Sequence, residues 1–209
     1  MWDRRKTFSK LSKNAAKCRL CPSMADLPAV LSSKNGFLYT DLIFVAEAPG
    51  RLGAGRTGIP FHGDRSGNNF KLLLDHAGLN RKDIFITNAV LCSPLKSGNN
   101  RRPTSKEIEN CSSFLQSLID LIAPKVISTL GGVGLEAINR LFGTRYKLAD
   151  VVACPLSLSK FTLFPLYHPS PRVVYTRRTL DQQKGDFKKL MKSLAITKSV
   201  TTQTKGITG

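Results

Sequence analysis

The 209-residue sequence predicts an α/β protein with a three-layer α/β/α architecture around a central, mainly parallel four-stranded sheet. Two observations support this. Four short apolar runs have the length and residue types of buried strands. Helix-like amphipathic patterns separate these runs and follow the last of them. Strands that alternate with helices form a parallel sheet covered on both faces, with ligands bound outside the carboxyl ends of the strands.

The first strand is LIFVA, Leu42 to Ala46, and a glycine-rich stretch and the helical pattern NNFKLLLDHAGL follow it. DIFITNAV, Asp83 to Val90, is the second strand. The helix after it, TSKEIENCSSFLQSLIDLI, opens on Pro103 and Thr104, with Glu107 placed to complete a capping box. KVISTL, Lys125 to Leu130, leads into the helix GLEAINRLF, and FTLFPLYH, Phe161 to His168, leads into TLDQQKGDFKKLMKSL. The segments just after Ala46, Val90, Leu130 and Leu166 should therefore line one cleft. Residues 1–195 are expected to form a single domain, and the polar, threonine-rich residues 196–209 a disordered or loosely attached tail.

Thirty-two basic residues against 14 acidic ones give a net charge of +18. Such an excess suits a polyanionic partner, and the lack of a long apolar segment favours nucleic acid over an integral membrane position. The N-terminal sequence has no apolar stretch of the secretory type, so an intracellular, cytoplasmic location is expected. In that setting five cysteines read as metal ligands or buried thiols rather than disulfides.

Cys18 and Cys21 form C-x2-C, Cys92 follows the second strand, and Cys111 lies on the next helix. From spacing alone, tetrahedral zinc and an iron-sulfur cluster fit four thiolates equally well. Cys154 has no partner at ligand spacing and reads as a buried free thiol. GVGLEA, Gly132 to Ala137, matches a dinucleotide-binding fingerprint, but on the third strand rather than the first; a tight turn into a helix explains it more simply. The sequence contains no Walker A loop.

The stretch AEAPGRLGAGRTGIPFHGDRSG, residues 46–67, holds six glycines and two prolines around Glu47, His62 and Asp64. Taken in order, CRLC, AEAPG, GRTGIPFHGDRSG, ITNAVLCSP, a cysteine in the next helix, LGG and YHPSPR resemble the iron-sulfur uracil-DNA glycosylases. AEAPG is similar to the family 4 pattern, and GRTGIPFHGDRSG to that of family 5. The resemblance implies an α/β/α fold and a [4Fe-4S] cluster on Cys18, Cys21, Cys92 and Cys111. It also implies a DNA partner containing uracil or another deaminated base, and a chain acting as a monomer. Phe61 resembles the aromatic that stacks on the base and Asn88 the amide that reads it, with Ala48 and Gly50 beside them in the pocket. His168 would stabilise the departing pyrimidine anion, and Asp64, with Glu47 as second candidate, would orient water and stabilise the cationic sugar. Ser66, Ser170 and Arg172 would contact the DNA backbone, and KSGNNRRP would add basic residues to that surface.

Removal of a base requires the nucleotide to leave the stack, because its glycosidic bond is inaccessible inside a duplex. A leading expectation is thus a monofunctional uracil-DNA glycosylase. The alternative from the binding class is an iron-sulfur protein that recognises or covalently traps uracil-DNA without turnover. A third reading, a nucleotide-dependent oxidoreductase, would use GVGLEA and the cluster.

Overall fold

The computed structural model describes the backbone of residues 3–204 and the side chains of residues 3–197. A five-stranded sheet lies at its centre, in the order β2 (Phe85–Asn88), β1 (Leu42–Ala46), β5 (Val126–Leu130), β7 (Phe161–Leu166) and β6 (Leu156–Leu158). The first four of these run parallel and correspond to the four expected strands. The added strand, β6, pairs antiparallel with β7 at the edge. At three residues, two half-exposed and one exposed, it is too short and too polar on one side to stand out in the sequence. Every residue of β1, β2 and β5 is buried, as expected of strands covered on both faces.

One face is covered by α1 (Arg4–Lys17), α4 (Ser105–Ile122) and α5 (Gly132–Phe142), packed on Ile43, Val45, Phe85 and Ile127. The other is covered by α3 (Arg65–Ala77) and α8 (Leu180–Thr204), where Phe70 and Phe187 surround Phe44. Three short helices, α2 (Ala54–Thr57), α6 (Leu148–Val151) and α7 (Pro171–Thr176), lie in connections. A small hairpin, β3 (Leu95–Lys96) with β4 (Asn99–Asn100), turns through Ser97 and Gly98, both at positive φ.

The sequence signals did not assign α1. Its Asp3 side chain caps the helix by accepting from Arg5 N and Lys6 N. Phe8 and Ala15 are buried, and Phe8 meets Phe85 edge-on at 5.8 Å. The capping box on α4 is present as expected: Glu107 N donates to Thr104 Oγ1 and Thr104 N donates to Glu107 Oε2. The last helix continues to Thr204, so residues 196–204 of the expected loose tail are helical, while residues 205–209 lie outside the described part. Among the described residues no helix is long and apolar enough to cross a membrane.

Gly134 explains part of the GVGLEA match. A Cβ placed there would stand 2.3 Å from the Val45 carbonyl oxygen, so glycine lets α5 lie directly on β1. Substitution Gly134→Ala should force the helix off the sheet and lower the unfolding free energy by roughly 1–3 kcal/mol. Chemical denaturation measures this, and a change within about 0.5 kcal/mol, the usual effect of a surface substitution, would show that the contact is not tight.

Candidate active site

At the carboxyl ends of the parallel strands, the following loops enclose a cleft of about 1110 Å³. Ten residues singled out in the sequence line it together: Glu47, Ala48, Gly50, Phe61, Asp64, Ser66, Asn88, His168, Ser170 and Arg172. A smaller cavity of about 190 Å³ between α4 and α5 contains none of them.

The cleft is built by close backbone approach. Gly131, at φ +91, follows β5, and a Cβ on it would lie 3.2 Å from the His168 Cβ. That turn lets the loop after β5 press against the residues after β7. On the far side, Asn69 Nδ2 of α3 donates to the Pro169 carbonyl at 2.9 Å, holding the chain next to His168. Phe61 sits at φ +54, an uncommon region for an aromatic residue. It is held there by stacking on Phe70, with ring centroids 4.3 Å apart, and by Gly67, where a Cβ would come within 2.4 Å of the Phe61 carbonyl oxygen. The Phe61 ring lies 5.5 Å from the His168 ring, tilted by 34°.

His168 is deeply surrounded by protein while part of it faces the cleft. Burial lowers its pKa from 6.5 to about 4, and the nearby Asp64 carboxylate offsets only part of that shift. The imidazole is therefore neutral at physiological pH. Asp64 itself caps α3, its Oδ1 accepting from Gly67 N at 2.8 Å. Its Oδ2 rests over the preceding loop, 2.3 Å from where a Cβ on Gly53 would be. The glycine-rich stretch thus makes space for a carboxylate that faces the cleft while also performing an ordinary capping role.

Burial raises the pKa of Glu47, and the positive charge of Arg102 partly counters this. Asn88, at the end of β2, is only 5% exposed, and its Nδ2 has no hydrogen-bond partner in the protein. A buried amide donor without a partner is costly unless a ligand supplies an acceptor. Asn88 as a residue lines the cleft, with this buried donor just behind its wall.

The KSGNNRRP segment behaves differently from the simple basic surface expected of it. Arg101 is 22% exposed and forms a bidentate ion pair with Glu107, which holds the Glu107 carboxyl down at about 2, chiefly through that hydrogen bonding. Arg102 bonds Glu136 at 2.8 Å but stays 64% exposed and lines the cleft. Asn100 lines it too and accepts from Arg51 N at 2.9 Å. Tyr167, Val173, Thr176 and Arg177, not expected as site residues, also line the cleft. Their adjacency to YHPSPR was the available signal.

Cys18, Cys21, Cys92 and Cys111 gather away from the cleft, where the end of α1 meets the segment after β2 and the first half of α4. Burial first, and then the charges of the neighbouring cysteines, push Cys92 up to about 11 and Cys111 to about 12. The four sulfurs are therefore within electrostatic reach of one another. Among the described residues, however, no three His, Cys, Asp or Glu side chains gather tightly enough for a single metal ion. Four sulfurs on one zinc would stand about 3.8 Å apart, given Zn–S bonds of about 2.3 Å, whereas an iron-sulfur cluster holds its thiolates on separate irons. An all-thiol donor set is one that either centre accepts. Cys154, expected to be buried, is exposed, because it lies in the loop between α6 and the edge strand β6.

Residues 35–195 match the family model of the uracil DNA glycosylase superfamily. The chain is 34% identical to a type-4 uracil-DNA glycosylase of Thermotoga maritima over 81% of its own length and 85% of the relative's. It is 31% identical to a type-4 enzyme of Sulfurisphaera tokodaii, covering 91% of this chain and 86% of that one. A type-5 uracil-DNA glycosylase of Pyrobaculum aerophilum is 31% identical over 68% of this chain and 67% of its own. The glycine-loop cleft and its strand-end residues accordingly place this chain within the uracil-DNA glycosylase superfamily, with relatives of both type 4 and type 5.

Proposed function

We propose that this protein is a monofunctional DNA glycosylase that flips uracil, or a related deaminated base, out of DNA and excises it, leaving an abasic site. The observation that carries this reading is the unpartnered Asn88 amide, placed in the same cleft as Phe61 and the neutral His168. A flat pyrimidine with carbonyl acceptors suits that set: Phe61 offers a stacking face, and Asn88 Nδ2 a donor to a base carbonyl. The basic cleft rim, with Arg172 and Arg177, suits phosphates on either side of the flipped nucleotide.

Cleavage breaks the bond between sugar C1′ and base N1, and the electron pair leaves with the base. Positive charge then grows on the sugar and negative charge on the pyrimidine. Neutral His168 serves the second need as a preorganised N–H donor to the base oxygen. Asp64 serves the first: its carboxylate stabilises the cationic sugar, orients a water towards C1′ and takes that water's proton. Glu47 is the second acid, and its raised pKa makes it a proton acceptor of increased basicity when ionised.

Cys18, Cys21, Cys92 and Cys111 are the residues that would hold a [4Fe-4S] cluster. That group would supply a structural cross-link between the N-terminal arm and the segment after β2. The residues proposed for base removal are those of the cleft.

Incubation of the purified protein with uracil-containing single- and double-stranded oligonucleotides should give abasic product, detected by alkaline cleavage. Lack of product from both substrates, with a stable protein-DNA complex, would favour the non-catalytic binding alternative. In single-turnover assays Asp64→Ala and His168→Ala should each slow excision by at least ~10²-fold while DNA binding is largely kept. Near-normal excision by Asp64→Ala together with inactive Glu47→Ala would exchange the roles of the two acids.

A further inference from the structure

Three distant segments meet at one carboxylate outside the cleft. Glu107, in the first turn of α4, has a side chain only 9% exposed. Its Oε1 accepts from Arg101 Nη2 at 2.5 Å and from Ser23 Oγ at 3.1 Å. Its Oε2 accepts from Arg101 Nη1 at 2.7 Å and from Thr104 N at 2.8 Å. Arg101 Nη2 also donates to Ser23 Oγ at 3.1 Å, so the serine joins both ends of the ion pair. The capping box accounts for Thr104 alone; it needs neither the arginine nor the serine.

The positions of those partners give the knot its meaning. Ser23 lies two residues beyond Cys21, on the arm that carries half of the thiol set. Arg101 leaves the β3–β4 hairpin and lines the cleft between Asn100 and Arg102. Its backbone N donates to the Pro94 carbonyl and its Nε to the Leu95 carbonyl, so the guanidinium also fixes the hairpin's base. Buried, fully paired charge networks hold their members in a single arrangement, and loss of one member leaves the others unpaired.

We propose that Glu107 is a positioning residue which, through Ser23 and Arg101, transmits the seating of the N-terminal cysteine arm to the DNA-facing wall formed by Asn100, Arg101 and Arg102. This rests on the glycosylase reading of the cleft. The wall residues face the DNA backbone rather than the bond that breaks. Release of the knot therefore weakens DNA binding and leaves the cleavage step intact.

The test uses the holoprotein and its variants Ser23→Ala, Ser23→Thr and Glu107→Gln. Dissociation constants are measured by fluorescence anisotropy on an oligonucleotide bearing a non-cleavable 2′-fluorinated deoxyuridine, and single-turnover excision is measured with the protein in saturating excess over uracil-DNA. Ser23→Ala should weaken binding about 5-fold and Glu107→Gln about 10-fold or more, in line with hydrogen bonds to charged groups, with excision rates within about 2-fold of wild type. Ser23→Thr, which keeps the hydroxyl, should bind like wild type. Unchanged affinity in Ser23→Ala overturns the proposal, as does Ser23→Thr behaving like Ser23→Ala, or a slower cleavage step with binding kept. Should Glu107→Gln fail to fold, the two serine variants decide the matter. A wild type that binds the analogue yet excises nothing sinks the glycosylase reading instead, separately from the coupling.

Discussion

Parallel pairing in register is the constraint on which the rest of this molecule depends. Ala46 stands beside Asn88, and Leu130 beside Leu166, so the chain leaves β1, β2, β5 and β7 at one level and at one edge. Glu47, the amide of Asn88, the Gly131 turn and His168 are the immediate continuations of those strands. A slip of one residue in β2 would turn the Asn88 side chain into the opposite layer, because strand side chains alternate. Full burial of β1, β2 and β5 on both faces makes such a slip expensive, so the hydrophobic core and the reactive geometry are fixed by the same pairing.

Convergence of the strand ends also sets the electrostatics. His168 is wedged by the Gly131 turn on one side and by the Phe61 ring on another, while Asn69 holds the next residue's carbonyl. Burial then outweighs the attraction of Asp64 and keeps the imidazole uncharged. The linkage has a definite sign. An unfolded histidine takes up its proton near 6.5 and the folded one near 4, so folding stability falls as pH drops through that interval. The site therefore costs stability in mild acid, and under the proposed function what it gains is a neutral donor held in place before the base arrives.

The sheet was legible in the sequence because its four parallel strands are continuous apolar runs, and the cleft was legible because parallel sheets place loops at one edge. Residues from the glycine loop to Arg172 came together for that reason. Short or polar elements were not legible. The edge strand β6 has only three residues, none of them buried, the hairpin strands have two each, and α1 buries only Phe8 and Ala15 on a largely basic helix. Asp64 also caps α3 through Oδ1 while lining the cleft, a second contact that its place in the glycine-rich stretch did not reveal. Arg101 could not be told from Arg102 in the sequence, since only packing sends one to a buried carboxylate and leaves the other exposed.

The central claim is that a buried, uncharged His168 stabilises the departing base. The rate of single-turnover uracil excision measured against pH tests it most directly. With its pKa lowered to about 4, His168 should give no inflection, and the rate should stay level between about pH 6 and 8. An inflection near 6.5 that disappears in His168→Asn would show an imidazole of ordinary basicity and contradict the account.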